Sequence, residues 1–149
     1  MEVRKVSEFP VEMQALFVQV SQKSRGAFAP LSNFGVCACL VDCEGNRHFG
    51  INCETANHDS TCAERGAIVN YVMAGRKGIK MLVIFGAPIN GSPIENEFTT
   101  PCGQCRQALV EHLDPETHIF CLDQAGQCVL EVTMGELLPK AFSLRSLGL

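Results

Sequence analysis

Two short cysteine segments place the strongest constraint on this chain. Pro101-Cys102-Gly103-Gln104-Cys105 puts two thiols three positions apart at the start of a periodically apolar stretch, and Cys62-Ala63-Glu64 opens another such stretch about forty residues upstream. The CxxC spacing lets both sulfurs converge on one ion, and a redox dithiol, half of a structural zinc site and a catalytic zinc site all use it. Helix starts supply free N–H groups and a positive dipole end, which favour thiolates. Three thiolates leave a tetrahedral zinc one open position, and a carboxylate two residues beyond a ligand reaches that position without binding the metal. A fold that uses both segments must bring two helix N-termini together. The alternative is a closed structural site with Cys53 or Cys43 as fourth ligand and Glu64 as an ordinary helix surface residue.

The rest of the chain reads as an α/β domain. Apolar residues at Phe9, Met13, Leu16, Phe17 and Val20 recur at helical spacing between Val6 and Ser24. Phe34 to Val41 and Arg47 to Asn52 read as strands joined by the turn residues Asp42 to Asn46, so the two are expected to pair antiparallel. A helix is expected from about Cys62 to Ala74, a buried strand from Lys80 to Phe85, and a helix from Cys102 to Leu113. His118 to Leu122 and Cys128 to Val132 read as short strands, and Thr133 to Leu138 as a short helix. Gly86 to Thr100, with two prolines, is too long for a mere connection. This order predicts one mixed sheet with helices on both faces.

At 149 residues with 46% hydrophobic and 19% charged residues, the chain suits one compact domain over residues 1–149. A net charge of −4 argues against a nucleic acid polymer as partner, because that affinity comes from clustered Lys and Arg. One Tyr and no Trp leave little to stack on splayed bases. No run approaches the roughly 18 apolar residues of a membrane span, and Met-Glu-Val-Arg-Lys leads into no signal-like stretch. The nine cysteines are therefore expected to be reduced thiols in a soluble, cytoplasmic protein. Cys37, Cys39 and Cys128 fall in apolar strands as small core residues, and none of His48, His58, His112 and His118 occurs in a ligand-like pair.

A His or Cys ligand two residues before Glu, followed by a distant PCxxC, is the zinc deaminase pattern, and Cys62, Glu64, Pro101, Cys102 and Cys105 fill it. From about Ala29 to Phe142 the chain resembles the small cytidine deaminases that act on free nucleosides. The likeness rests on CAER at Cys62 to Arg65, PCGQCRQ at Pro101 to Gln107, ELLPKAF at Glu136 to Phe142, Ser32-Asn33-Phe34 and Asn52-Cys53-Glu54. It implies a three-layer α/β/α core around a mixed five-stranded sheet, one zinc per chain, and a homotetramer whose active sites are completed by neighbours. It also implies hydrolytic deamination of cytidine, deoxycytidine or a related cytosine nucleoside in pyrimidine salvage. Carried onto this sequence, Glu64 would shuttle protons, Asn52 and Glu54 would hold sugar hydroxyls, and Phe34 would pack on the base or ribose. The Ala63 N–H would hold the pyrimidine O2, the Thr100 carbonyl would accept from the departing amine, and Phe142 would reach a neighbour's pocket. Because three thiolates make a zinc site anionic, Arg65 and Arg106 are expected to donate hydrogen bonds to sulfur.

The chain departs from the family pattern where it borders substrate. The segment between Asn52 and Cys62 is about one residue short and carries Thr55, Asn57 and His58 in place of the usual Asn and Tyr; Gly86 to Thr100 is several residues long; Gly35 and Cys37 replace a proline and a glycine. A modified nucleoside or a nucleoside antibiotic, as in the related blasticidin deaminases, is the alternative substrate, and a non-catalytic zinc-stabilised binding module the alternative of a different class.

Overall fold

The computed structural model describes residues 1–149 and consists of one six-stranded sheet between two layers of helix. The strands are β1 (Glu2–Lys5), β2 (Phe34–Asp42), β3 (Arg47–Ile51), β4 (Ile79–Pro88), β5 (His118–Leu122) and β6 (Cys128–Thr133). They lie in the order β1-β6-β5-β4-β2-β3, and only β4 and β5 are parallel neighbours. The helices are α1 (Val11–Ser24), α2 (Ala63–Met73), α3 (Gly103–Leu109) and α4 (Met134–Leu137).

Strand alternation divides the core in two. Cys37, Cys39 and Val41 of β2 face Leu16, Phe17 and Val20 of α1, where Phe9, Phe17 and Phe120 pack edge to face or tilted. Ala38 and Leu40 face the other way, onto Ala63, Ala67 and Tyr71 of α2 and onto Leu109 of α3. The thiols of Cys37 and Cys39 are thus small core groups, and burial first of all pushes each up to about 12.

The sixth strand is the main departure from the sequence expectation of five. Glu2–Lys5 carries one apolar residue among charges and buries no side chain, so it has no periodic signal. Backbone pairing with β6 holds it, helped by Arg4, which bonds Glu131 at 3.1 Å and sits 4.1 Å from the centre of the Phe9 ring. Helix α1 begins at Val11 rather than Val6, because Pro10 disfavours a helical Phe9; Val6–Glu8 form a separate 3-10 turn. Strand β4 runs on to Pro88, and α3 ends at Leu109, four residues early.

Two features aim α2. A side chain at Gly50 of β3 would collide with the Ala63 carbonyl and the Ala67 nitrogen, so glycine lets the helix backbone rest directly on the strand. Asn70 then bonds the Phe49 carbonyl at 2.6 Å. At the opposite end of β2, Asp42 accepts from the Glu44 and Asn46 backbones, the Asn46 amide and His48 Nε2, closing the hairpin turn. No helix is long and apolar enough to cross a membrane.

Candidate metal centre and substrate cavity

Helices α2 and α3 start side by side, with Cys62 and Cys102 as their extended N-cap residues. Cys105 follows one turn into α3 and is fully buried. The sulfurs of Cys62, Cys102 and Cys105 all lie within 4.8 Å of one another, with Cys62 and Cys102 4.0 Å apart. Tetrahedral zinc at about 2.3 Å from each thiolate requires sulfur separations of roughly 3.8 Å, so the donor set fits the ion. It does not fit a disulfide, whose sulfurs stand about 2.05 Å apart. Burial acts on all three thiols. It raises Cys62 and Cys105, whereas at Cys102 the Cys105 backbone N–H and the neighbouring thiols outweigh it and lower the pKa.

No fourth protein donor joins the group. Cys53 lies in backbone bridges to Phe28 and Thr61 with an exposed side chain, and Cys43 follows the far end of β2. A closed four-cysteine site is not built, and Glu64 stands close enough to the thiols for its charge to act on Cys62 and Cys105. That carboxyl is 5% exposed, and burial pushes its pKa up from the usual range.

A cavity of about 290 Å³ opens in front of the thiols, lined by Phe34, Asn52, Glu54, Ala63, Glu64 and Thr100 among others. A larger one, about 460 Å³, lies between the end of α1 and the segment after β4, but it gathers no metal-donor cluster, and the chemistry selects the smaller. Phe34 opens β2 with its ring over Gly86, where any side chain would clash with it. Asn52 accepts from the Val36 N–H at 2.8 Å and donates to the Phe34 carbonyl at 2.9 Å, continuing the β2–β3 ladder with a side chain. Glu54 Oε2 accepts from the Leu31 and Ser32 backbone N–H groups at 2.7 and 3.2 Å. The Ser32 hydroxyl, first, and those amides hold its pKa below the usual value.

The two arginines expected at sulfur sit elsewhere. Arg65 is exposed and makes no hydrogen bond or ion pair within the chain. Arg106 donates to the Pro101 carbonyl at 2.8 Å, the Leu137 carbonyl at 3.1 Å and Thr100 Oγ1 at 3.4 Å, not to sulfur. The Pro101 and Leu137 carbonyls accept no other hydrogen bond. Phe142 is 65% exposed and outside its own chain's cavity, on a tail held by Gln107 to the Phe142 carbonyl and by Glu111 to the Leu144 N–H. Val36, Ser60, Thr61 and Thr99 also line the cavity. Val36 was legible in principle, since residues two apart in a strand share a face.

Comparison with known proteins gives this geometry its family. Residues 11–121, which include all three thiols and Glu64, match the cytidine and deoxycytidylate deaminase zinc-binding region. The chain belongs to the cytidine deaminase family. It is 31% identical over 133 residues to the cytidine deaminase of Mycoplasma genitalium, covering 89% of this chain and 96% of the relative. To that of Halalkalibacterium halodurans it is 30% identical over 139 residues, 93% of this chain and 99% of the relative. The crystal structure of cytidine deaminase from Burkholderia pseudomallei superposes with a TM-score of 0.70 at 32% identity, covering 86% of this chain and 98% of that one. The Mycobacterium tuberculosis enzyme gives 0.71 at 27%, covering 90% and 99%. This deaminase is accordingly a zinc-dependent enzyme, and Cys62, Cys102 and Cys105 are placed to hold its metal.

Proposed function

We propose that this deaminase hydrolyses free cytidine or deoxycytidine to the uracil nucleoside and ammonia, with Glu64 as its proton shuttle. The observation that carries the reading is a buried carboxyl beside three convergent thiols at the floor of a nucleoside-sized cavity. When bound, zinc supplies the Lewis acidity that makes water a nucleophile at neutral pH. Glu64 takes the proton of that water and delivers it to ring N3; oxygen adds at C4, and Glu64 hands the second proton to the exocyclic amine, which leaves as ammonia. Burial keeps the Glu64 carboxyl poised to hold a proton as well as to take one. The Ala63 N–H holds O2, Phe34 packs against the nucleoside, and the Thr100 carbonyl receives the departing amine. Asn52 has one amide hydrogen beyond its ladder bonds, and Glu54 has Oε1 beyond its loop bonds; both serve the sugar hydroxyls.

The cavity lining selects nucleosides over nucleotides. It holds two carboxylates, Glu54 and Glu64, and no Lys, Arg or His, so a phosphate would meet like charge without a partner. The chain assembles as a homotetramer, with Phe142 reaching a neighbour's cavity and the exposed Val69, Val72 and Met73 of α2 covered by another copy. Nine free thiols suit a place in cytoplasmic pyrimidine salvage.

Ammonia release measured over cytidine, deoxycytidine, dCMP, cytosine, blasticidin S and adenosine tests the reading. Turnover of the two nucleosides, with dCMP and cytosine at least about tenfold poorer, is expected. Turnover of dCMP or blasticidin S alone overturns the substrate assignment, and no ammonia from any compound overturns the activity.

A further inference from the structure

The guanidinium of Arg106 ties the peptide before α3 to the end of α4. From α3, one position beyond Cys105, it donates through Nε to the Pro101 carbonyl, through Nη2 to Thr100 Oγ1 and through Nη1 to the Leu137 carbonyl at the end of α4. The peptide between Thr100 and Pro101 lies in the middle of this brace. Its nitrogen belongs to proline and has no hydrogen to donate, so the peptide cannot anchor itself. Its oxygen, the Thr100 carbonyl, accepts no hydrogen bond from the chain and belongs to a residue lining the cavity. The groups flanking that oxygen, the Thr100 hydroxyl and the Pro101 carbonyl, are both gripped by Arg106. The preceding residue, Thr99, has anchors of its own, to Leu122 and Gly86.

We infer that Arg106 is a positioning residue for the leaving group: it fixes the Thr100–Pro101 peptide so that the Thr100 carbonyl stays free and aimed at the departing amine. This rests on the deaminase reading above. The planar fork matters as well as the charge, because three acceptors in different directions need donors held in one rigid plane. A lysine keeps the cation but cannot bridge Thr100, Pro101 and Leu137 together. The carbonyl meets a full positive amine only as the C–N bond breaks, so its misplacement acts on kcat more than on ground-state binding.

The test is Arg106→Lys, with zinc content, melting temperature, cytidine kinetics and competitive inhibition by pyrimidin-2-one riboside, a nucleoside with hydrogen in place of the C4 amine. With zinc and fold retained, kcat for cytidine should fall about 10- to 100-fold while KM and the inhibitor's Ki stay within about twofold. Thr100→Val, which removes one of the three acceptors and keeps the carbonyl, should show the same split at a few-fold size. Parallel loss of kcat and inhibitor affinity would make Arg106 a general support of the pocket and overturn the inference. Loss of zinc or fold, or an unchanged kcat, overturns it equally. A parent protein that releases no ammonia from cytidine defeats the deaminase reading itself and is distinguished from all of these.

Discussion

Glu64→Gln separates chemistry from architecture most cleanly. The carboxyl is 5% exposed, near the start of α2, with Cys105 close enough to act on its pKa and Cys62 and Cys105 close enough to feel its charge. Glutamine matches it in shape, so the helix start and the three thiols should be undisturbed, and zinc content should equal the parent's. What is lost is proton transfer, since an amide neither takes a proton from water nor passes one to N3 or the amine. General acid–base catalysis by one group contributes typically about 10² to 10⁴ in rate, and one residue serving three transfers places the loss at the upper end. Stability should move the other way. A buried carboxyl pays for desolvation whenever it ionises, and the neutral amide does not, so the melting temperature should hold or rise. Ammonia release under saturating cytidine, with metal analysis of the same preparation, reads both. Turnover near the parental rate with zinc bound would refute Glu64 as the shuttle, and loss of zinc would refute its separation from the metal site.

Other consequences are open to equally direct measurement. Cys102→Ala should abolish tight zinc binding and lower the melting temperature, because the remaining two thiols cannot complete the site; metal analysis after dialysis and a thermal melt check it. Glu54→Gln can keep one oxygen on the Leu31 and Ser32 amides but loses the second acceptor, so kcat/KM for cytidine should fall about 10- to 150-fold with zinc retained, and equal turnover of cytosine by the parent would remove the sugar role. Asp42 has its pKa held down to about 2 from 3.8: burial pushes it up, but the hydrogen bonds from His48, Asn46 and Glu44 outweigh that. A lowered folded-state pKa means stability that is present above 3.8 and lost as pH falls toward 2, so urea midpoints between those values should drop more steeply for the parent than for Asp42→Asn. Light scattering should find a tetramer at micromolar concentration, and Phe142→Ala should raise KM if the ring enters a neighbour's cavity; a fully active monomer would show otherwise.

Legibility from the sequence followed locality. Cys62, Glu64, Cys102 and Cys105 were readable because ligand spacing and helix starts are properties of a few consecutive residues, and helical geometry converts them directly into direction. Helix α1 and strands β2 to β6 were readable for the same reason, through apolar periodicity. Strand β1 was not, because an edge strand that buries no side chain leaves no pattern, and only the exposed backbone of β6 calls for it. The same limit hid where the two arginines go. Arg65 and Arg106 are long side chains beside ligands, and charge balance alone pointed both at sulfur. Where Arg106 goes depends on the Leu137 carbonyl, 31 residues away, and on a proline-interrupted peptide that needs a donor.

The sequence alone marked Cys62, Cys102 and Cys105 as zinc-ligand candidates and Glu64 as the carboxylate beside them, since each is signalled by residue type and short-range spacing. Only the tertiary structure decided that Cys53 and Cys43 stay away from that metal, that Asn52 and Glu54 spend part of their hydrogen-bonding capacity on the chain itself, and that Arg106 braces a peptide. Those outcomes depend on which long-range partner reaches a polar group first. Sheet order and close backbone approaches such as Gly50 against Ala63 settle that choice, and neither has a signature within a few residues.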